Sequence, residues 1–456
     1  MAESSTEQLA RFVSTLGYDD IPATVREKCK DVLLDTLACA LAGHAGEETG
    51  QVSKFARAVA ASNESSVIGG ETLSLAGATM LNGYLITAVT MCDIHRSTLT
   101  HVTPEVVPPA LLIAERDNLS GRDLLVALAA GFEVTTRVGV ASDYPAFRAR
   151  GYHGPGVFGN FGSAAATGRL INLNPEAMAR AFGLAGSQAG GTFAAWGTPT
   201  VKFHQCRGAL SGLMAALLAE QDFLATREFL THKDGGLFTT FSNGGKPEEV
   251  TKDLGKRWEL EQIALRLWPS ASSIQGMNTA LFDVLEERPF KLAGIKTAKV
   301  RLAPVVFNLH GKLSKYKAKF DALISAHYTA AIIIQDHVLT LDQFLPERYD
   351  DPAIRHAAAE LIDIQPDESL KEVQAVVEFE LKDGTKISKR CDFPRGSYEN
   401  PMTRAQIETK LRTYGKSRLS PAAIDRIISN VAALENLGSV RDLMQTLRQD
   451  VRAVAA

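Results

Sequence analysis

Val373-Gln-Ala-Val-Val-Glu-Phe379-Glu-Leu381-Lys-Asp383-Gly384-Thr385-Lys386-Ile-Ser-Lys-Arg-Cys391-Asp-Phe393 holds two runs of strand character, Val373 to Phe379 and Lys386 to Phe393, on either side of an Asp-Gly pair. Asp-Gly supplies the positive φ angles of a tight hairpin turn, so the stretch predicts two antiparallel strands. Just upstream, the run from Thr297 to Pro304 alternates partly between apolar and charged residues, as a half-buried strand does, and a helix is predicted over 274–287. Strand character is confined to this part of the chain. On its N-terminal side, residues 1 to about 265 read mostly as helices: Val32, Leu33, Leu34, Leu37 and Leu41 fall at helical spacing, and Ala/Gly/Leu-rich stretches recur near 76–90, 106–115, 123–140, 162–187 and 207–220. Gly43, Gly131, Gly162, Gly183 and Gly212 would let these helices approach closely. After Asn400-Pro401, helical patterning returns over Thr403 to Tyr414 and from Ser420 onward. The fold class is therefore mainly α: a large all-helical bundle domain built from both chain ends (1–268 and 398–456), with a smaller α+β domain (269–397) inserted between them.

The totals agree with a globular chain. Its 456 residues are 45% hydrophobic and 22% charged, outside the range of disordered sequences. A formal net charge of −3, with both signs mixed throughout, favours neither nucleic acid nor an anionic membrane as a partner. Cys29, Cys39, Cys92, Cys206 and Cys391 are odd in number and far apart, and they read as reduced thiols. The first residues lack a basic region followed by an apolar run, and the apolar stretches are broken before the roughly 18–20 residues that span a bilayer. The expectation is a cytoplasmic protein without a membrane segment.

Three clusters could carry chemistry. In the first, Cys92-Asp93-Ile94-His95 and then His101 place an acid and two imidazoles just before an apolar helix. A carboxylate can set a histidine's tautomer and basicity, but Asp and Thr here could equally cap the helix. In the second, Arg148-Ala-Arg150-Gly151-Tyr152-His153-Gly154-Pro155-Gly156 leads into a helix. It ends in no Gly-Lys-Ser/Thr and follows no strand, which excludes nucleotide loops. Tyr144 offers a second base and Arg148 and Arg150 fixed positive charge, unless the segment is only a tight helix junction. In the third, Lys202-Phe-His204-Gln-Cys-Arg207 precedes the helix Ala209 to Ala219. Cations at a helix N-terminus oppose its dipole, a conflict relieved by an anionic substrate or by simple solvation. Arg266 and the Ser325-Ala-His327-Tyr328 run add weaker signals. No zinc-binding spacing and no nucleophile elbow occurs.

In order and spacing these pieces resemble the MmgE/PrpD family. The resemblance rests on Leu34-Asp35-Thr-Leu-Ala-Cys-Ala-Leu-Ala-Gly43, His101 with Val106-Val-Pro-Pro-Ala-Leu, His153 with Phe158-Gly-Asn-Phe-Gly-Ser, Lys202-Phe-His204, Trp268-Pro269, Ser325-x-x-Tyr328-x-x-Ala331 and Arg395-Gly-Ser-x-x-Asn400-Pro401. It spans nearly the whole chain. It implies a homodimer, a positively charged site between the two domains, and chemistry without cofactor or metal on small polycarboxylates. It matches His101, His153, Lys202 and Tyr328 to family active-site positions, with Arg266 in place of a common lysine, and with the cluster reading the catalytic roles fall on His101, His153, Lys202 and Tyr144. Substrate contacts fall on Asp93, His95, Arg148, His204, Arg266 and Tyr328. The chain departs from the lyase pattern where Met91-Cys92-Asp93-Ile94-His95 keeps one acid of the usual Asp-Phe-Asp-Asp-Thr, and where Ala271 replaces a histidine found in cis-aconitate decarboxylases.

The implied reaction begins with a carbanion next to a carboxylate, which needs a base and fixed cations to hold the developing charge. A lyase, dehydratase or decarboxylase, is the first expectation. An epimerase acting on an iminodisuccinate-like substrate with two bases is the second, and a non-catalytic polycarboxylate-binding module the third.

Overall fold

A computed structural model describes residues 3–448 of the chain. The end of the C-terminal helical patterning, 449–456, lies outside the described residues, as do Met1 and Ala2. The fold is mainly α. Two compact units are formed, one by the residues up to Ala264 together with those from Thr403 on, the other by Leu265–Met402. The second unit starts a few residues earlier than the change of sequence pattern because the Leu265 amide donates to the Gly396 carbonyl (2.9 Å), tying the stretch before Trp268 to the end of the insertion.

In the first unit, helices Gly121–Ala141 and Pro155–Leu170 are buried along nearly their whole length, and helix Thr200–Glu220 over most of its residues. Small residues make that possible. A Cβ on Gly162 would lie 1.8 Å from Thr135 Oγ1, and one on Gly212 would lie 2.3 Å from Ser163 Cβ, so these crossings admit nothing larger than glycine. Helix Gly121–Ala141 is long and apolar enough to cross a membrane, contrary to the sequence expectation, yet 94% of its apolar window is buried within the protein. Its polar exceptions are internally matched, and Ser120 and Asp123 form a capping box at its start. The C-terminal helix Arg404–Gly415 is fastened to helix Ala23–Gly43 by a fully buried ion pair, Lys410 Nζ to Asp35 Oδ1 at 2.6 Å. Loss of either partner would leave a buried charge alone, at a cost of about 3–5 kcal/mol.

The expectation of an all-helical first unit needs correction. Two ladders of two residues per strand occur there, Ser65–Ser66 with Thr72–Leu73 and Ile94–His95 with Ile263–Ala264. Such runs are too short to show a period of two in sequence.

The second unit carries a four-stranded sheet in the order Ile362–Pro366, Ile295–Leu302, Ala375–Leu381, Lys386–Cys391. The first pair is parallel and the others antiparallel. The hairpin forms as its sequence predicts: Glu380 pairs with Lys386, Gly384 has φ +88°, and Asp383 Oδ1 accepts from the Thr385 amide at 2.9 Å. The predicted strand over 297–304 is found at Ile295–Leu302, because Pro304 opens a short helix instead. The predicted helix is found at Gln275–Glu287 and packs Phe282 flat on Trp268, ring centroids 4.7 Å apart.

Candidate active site

Two loops of the first unit run side by side. The His153 amide donates to the Gly191 carbonyl (3.1 Å), the Phe193 amide donates to the Gly151 carbonyl (2.7 Å), and Tyr152 bridges to Thr192. Gly191 sits at φ +131°, where a Cβ would come within 2.9 Å of His204 Nδ1, so glycine is required on both counts. Arg207 locks the pairing from the helix side by donating to the carbonyls of Gly156 (2.9 Å), Gln188 (2.7 Å) and Gly190 (2.7 Å).

This scaffold holds His153 against His204, Nδ1 to Nδ1 at 3.0 Å. Only one proton fits between two such nitrogens. In the neutral pair the donor ring therefore keeps a lone pair on Nε2 and the acceptor ring a proton on its Nε2, so the pair presents a base and an acid together. Neither Nε2 has a hydrogen-bond partner among the described residues. Burial, followed by the positive fields of His204, His101 and Arg148, pulls the His153 pKa down to about 3. Burial and then Arg207 also lower that of His204. Arg148 lies over the Phe193 ring at 3.5 Å, and that ring meets His153 edge-on at 6.0 Å.

Tyr144, at the start of the short helix Tyr144–Ala149, stacks on Phe147. Burial raises its phenol pKa and Arg148 partly offsets the rise, which makes it a proton donor rather than a base at neutral pH.

The cluster around His101 is a structural clasp as well as a source of imidazole. The buried Asp93 carboxylate accepts from the Val102 amide (2.8 Å), the Thr103 amide (3.1 Å) and Thr103 Oγ1 (2.5 Å), capping helix Thr103–Arg116 from outside. The Asp93 carbonyl accepts from His101 Nδ1 at 2.6 Å, which puts that ring's proton on Nδ1 and its basic lone pair on Nε2. Asp93 thus orients a candidate base with its backbone while its carboxylate caps the helix. His95 is fully buried, with Nδ1 on Thr98 Oγ1 (2.8 Å) and Nε2 on Glu259 Oε1 (3.2 Å).

Lys202 stands in the first turn of helix Thr200–Glu220, which begins well before Ala209. Its ammonium donates to the Ala88 carbonyl (2.8 Å) and to Glu48 Oε2 (3.3 Å), which also accepts from Tyr84 OH (2.9 Å). The conflict between this cation and the helix dipole is thus balanced within the protein, by Glu48. Nothing in the sequence near Glu48 signals the pairing, since 154 residues separate the partners.

In the second unit Arg266 is buried and donates to the Ser270 carbonyl (3.3 Å). Tyr328 is fully enclosed between Tyr316 and Phe344, its hydroxyl donated to the Gln343 carbonyl. That environment packs its ring among aromatic neighbours. His327 Nε2 bonds the Gly311 carbonyl at 2.9 Å.

Glu105 escaped the sequence reading. It lies fully buried in helix Thr103–Arg116, with no hydrogen-bond partner for either carboxyl oxygen, against Gly159 and Gly208. Burial, then the negative fields of Asp93 and Cys92, raise its pKa well above the carboxylate range, so it is held neutral. A lone acid inside the apolar run Val102 to Leu112 was the available signal. The five cysteines are buried, and none is in a disulfide among the described residues.

A neutral imidazole pair within the field of an arginine is equipped to move a proton next to a negatively charged group. Comparison with known proteins narrows the class. Residues 7–250 match the MmgE/PrpD N-terminal domain and residues 268–436 the MmgE/PrpD C-terminal domain. The chain is 31% identical to the cis-aconitate decarboxylase-like protein oryM of Aspergillus oryzae, the alignment covering 96% of each. It is 27% identical to cis-aconitate decarboxylase of Aspergillus terreus (98% of this chain, 96% of that protein) and 26% identical to cis-aconitate decarboxylase of Homo sapiens (96% and 93%). The chain belongs to the MmgE/PrpD family.

Proposed function

We propose that this protein is a lyase that forms and quenches a carbanion next to a carboxylate in a small di- or tricarboxylate, without a cofactor. The observation that carries the reading is the Nδ1–Nδ1 contact of His153 and His204, which offers a proton donor and a proton acceptor on adjoining rings. The names of the relatives favour decarboxylation of an unsaturated tricarboxylate such as cis-aconitate. In that reaction a carboxylate leaves as CO₂, its bonding pair shifts the double bond, and an imidazole N–H delivers a proton to the far alkene carbon. General acid–base help of this kind contributes roughly 10²–10⁴-fold. Arg148 and Lys202 would hold the carboxylates that stay behind, and His101 Nε2 and Tyr144 are the further proton-transfer groups. Arg266 is retained as a cation from the family resemblance. A two-base epimerisation is less well served, because the Tyr144 phenol is held protonated. The family resemblance also suggests a homodimer.

The test is incubation in D₂O with cis-aconitate, citrate, 2-methylcitrate and iminodisuccinate, followed by proton NMR. Loss of CO₂ with one deuterium in the product, or loss of water with none in the alkene, is expected. Exchange with inversion and no alkene would establish an epimerase instead, and tight binding with no exchange would establish a binding module.

A further inference from the structure

Away from these imidazoles, the first unit contains a cavity of about 210 Å³ whose lining includes His44, Ser53, Arg57, Glu71, Leu81 and Arg418. Its two arginines differ. Arg57 is neutralised by Glu71 at 3.1 Å. Arg418 is partly buried, and its guanidinium has no hydrogen bond or ion pair among the described residues. A guanidinium taken partly out of water without a counter-charge is a standing cost, which burial registers by lowering its pKa. His44 complements it. Its Nε2 lies 2.7 Å from the Ile68 carbonyl, which can only accept, so the ring proton is on Nε2 and Nδ1 is an acceptor. Burial brings its pKa down to about 4, so the ring stays neutral near pH 7. The lining therefore combines one uncompensated cation, one nitrogen acceptor and the Ser53 hydroxyl, in a space too small for a large ligand.

We infer that this cavity is a second binding site, for a small monoanion that also bears an O–H group, with a 2-hydroxycarboxylate as the fitting class. The carboxylate pairs with Arg418 and the hydroxyl donates to His44 Nδ1. Further negative charges would face Glu71, which separates this ligand from the polycarboxylates proposed as substrates.

Isothermal titration of the full chain with glycolate tests the site, with acetate as the probe that lacks the hydroxyl. Saturable binding of glycolate is expected, and weaker binding of acetate. Arg418→Gln should weaken glycolate at least about tenfold, the scale of one charge-assisted hydrogen bond. His153→Ala should leave glycolate affinity unchanged, because the imidazole pair is a different site. The assignment is overturned if glycolate does not bind, if Arg418→Gln binds it as the unaltered protein does, or if His153→Ala abolishes binding. Should Arg418→Gln fail to fold, Arg418→Lys keeps the charge but not the fork geometry. Reduced glycolate affinity then supports the site, and unchanged affinity overturns it.

Discussion

Both the His153–His204 region of the first unit and the His310 region of the other unit bury imidazoles. They differ in what the imidazoles have left over. His310 is fully occupied: Nε2 pairs with Ser273 Oγ at 2.7 Å and Nδ1 with the Ile324 carbonyl at 2.8 Å. His153 and His204 use one nitrogen each, on one another, and each keeps an Nε2. A buried polar group with every bond made contributes to stability, whereas one with capacity in reserve is available for chemistry.

The largest effect expected from this difference is on rate. His153→Ala or His204→Ala should lower kcat by about 10²–10⁴-fold, the range for removal of a general acid or base. The two losses should not add, because either change destroys the same shared-proton unit. His310→Ala should leave turnover per folded molecule unchanged. Steady-state kinetics of the three variants and of the double variant decide the matter, and a rate loss in His310→Ala comparable to that in His153→Ala would erase the distinction.

Stability should respond in the opposite pattern. His310→Ala leaves the Ser273 hydroxyl and the Ile324 carbonyl without their partner inside a buried site, a cost of about 1–3 kcal/mol. Urea denaturation should show that loss as a lower midpoint at unchanged slope. His204→Ala removes one bond, to His153, where His310→Ala removes two, and should cost less.

How much of this was legible depended on distance along the chain. The hairpin was readable because Asp383-Gly384 sets its turn locally, and the Gly-rich helices because apolar spacing repeats over many turns. Strand Ile362–Pro366 was missed: its parallel partner Ile295–Leu302 lies more than sixty residues upstream, and Ile-Asp-Ile-Gln-Pro is too short to announce itself. Among the candidate site residues, sequence density marks segments, whereas the partners of each side chain are set by the fold. The Lys202–Glu48 ion pair is not legible in sequence, since a long-range pair leaves no local pattern.

The smallest effect lies in the acid limb of stability. His310 has its pKa brought down to about 4, burial outweighing the hydrogen bond to Ile324 that favours the charged form. An unfolded histidine titrates near about 6.5. Between those values the unfolded chain binds a proton that the folded chain does not, so stability rises with pH across the window and is lost as pH falls from about 6.5 toward 4. The contribution of one such group is at most about 1.4 kcal/mol per pH unit. His310→Gln removes it, so unfolding free energy measured against pH should slope less steeply in that window than in the unaltered protein. His153 shifts in the same direction and to a lower value, so His153→Gln should flatten the slope as well and extend the effect below pH 4. Both substitutions should thus act alike on acid stability while only the second acts on turnover. A His310→Gln protein whose acid slope matches the unaltered one would mean that this ring is already charged when folded, and the contrast between the two regions would then rest on geometry alone.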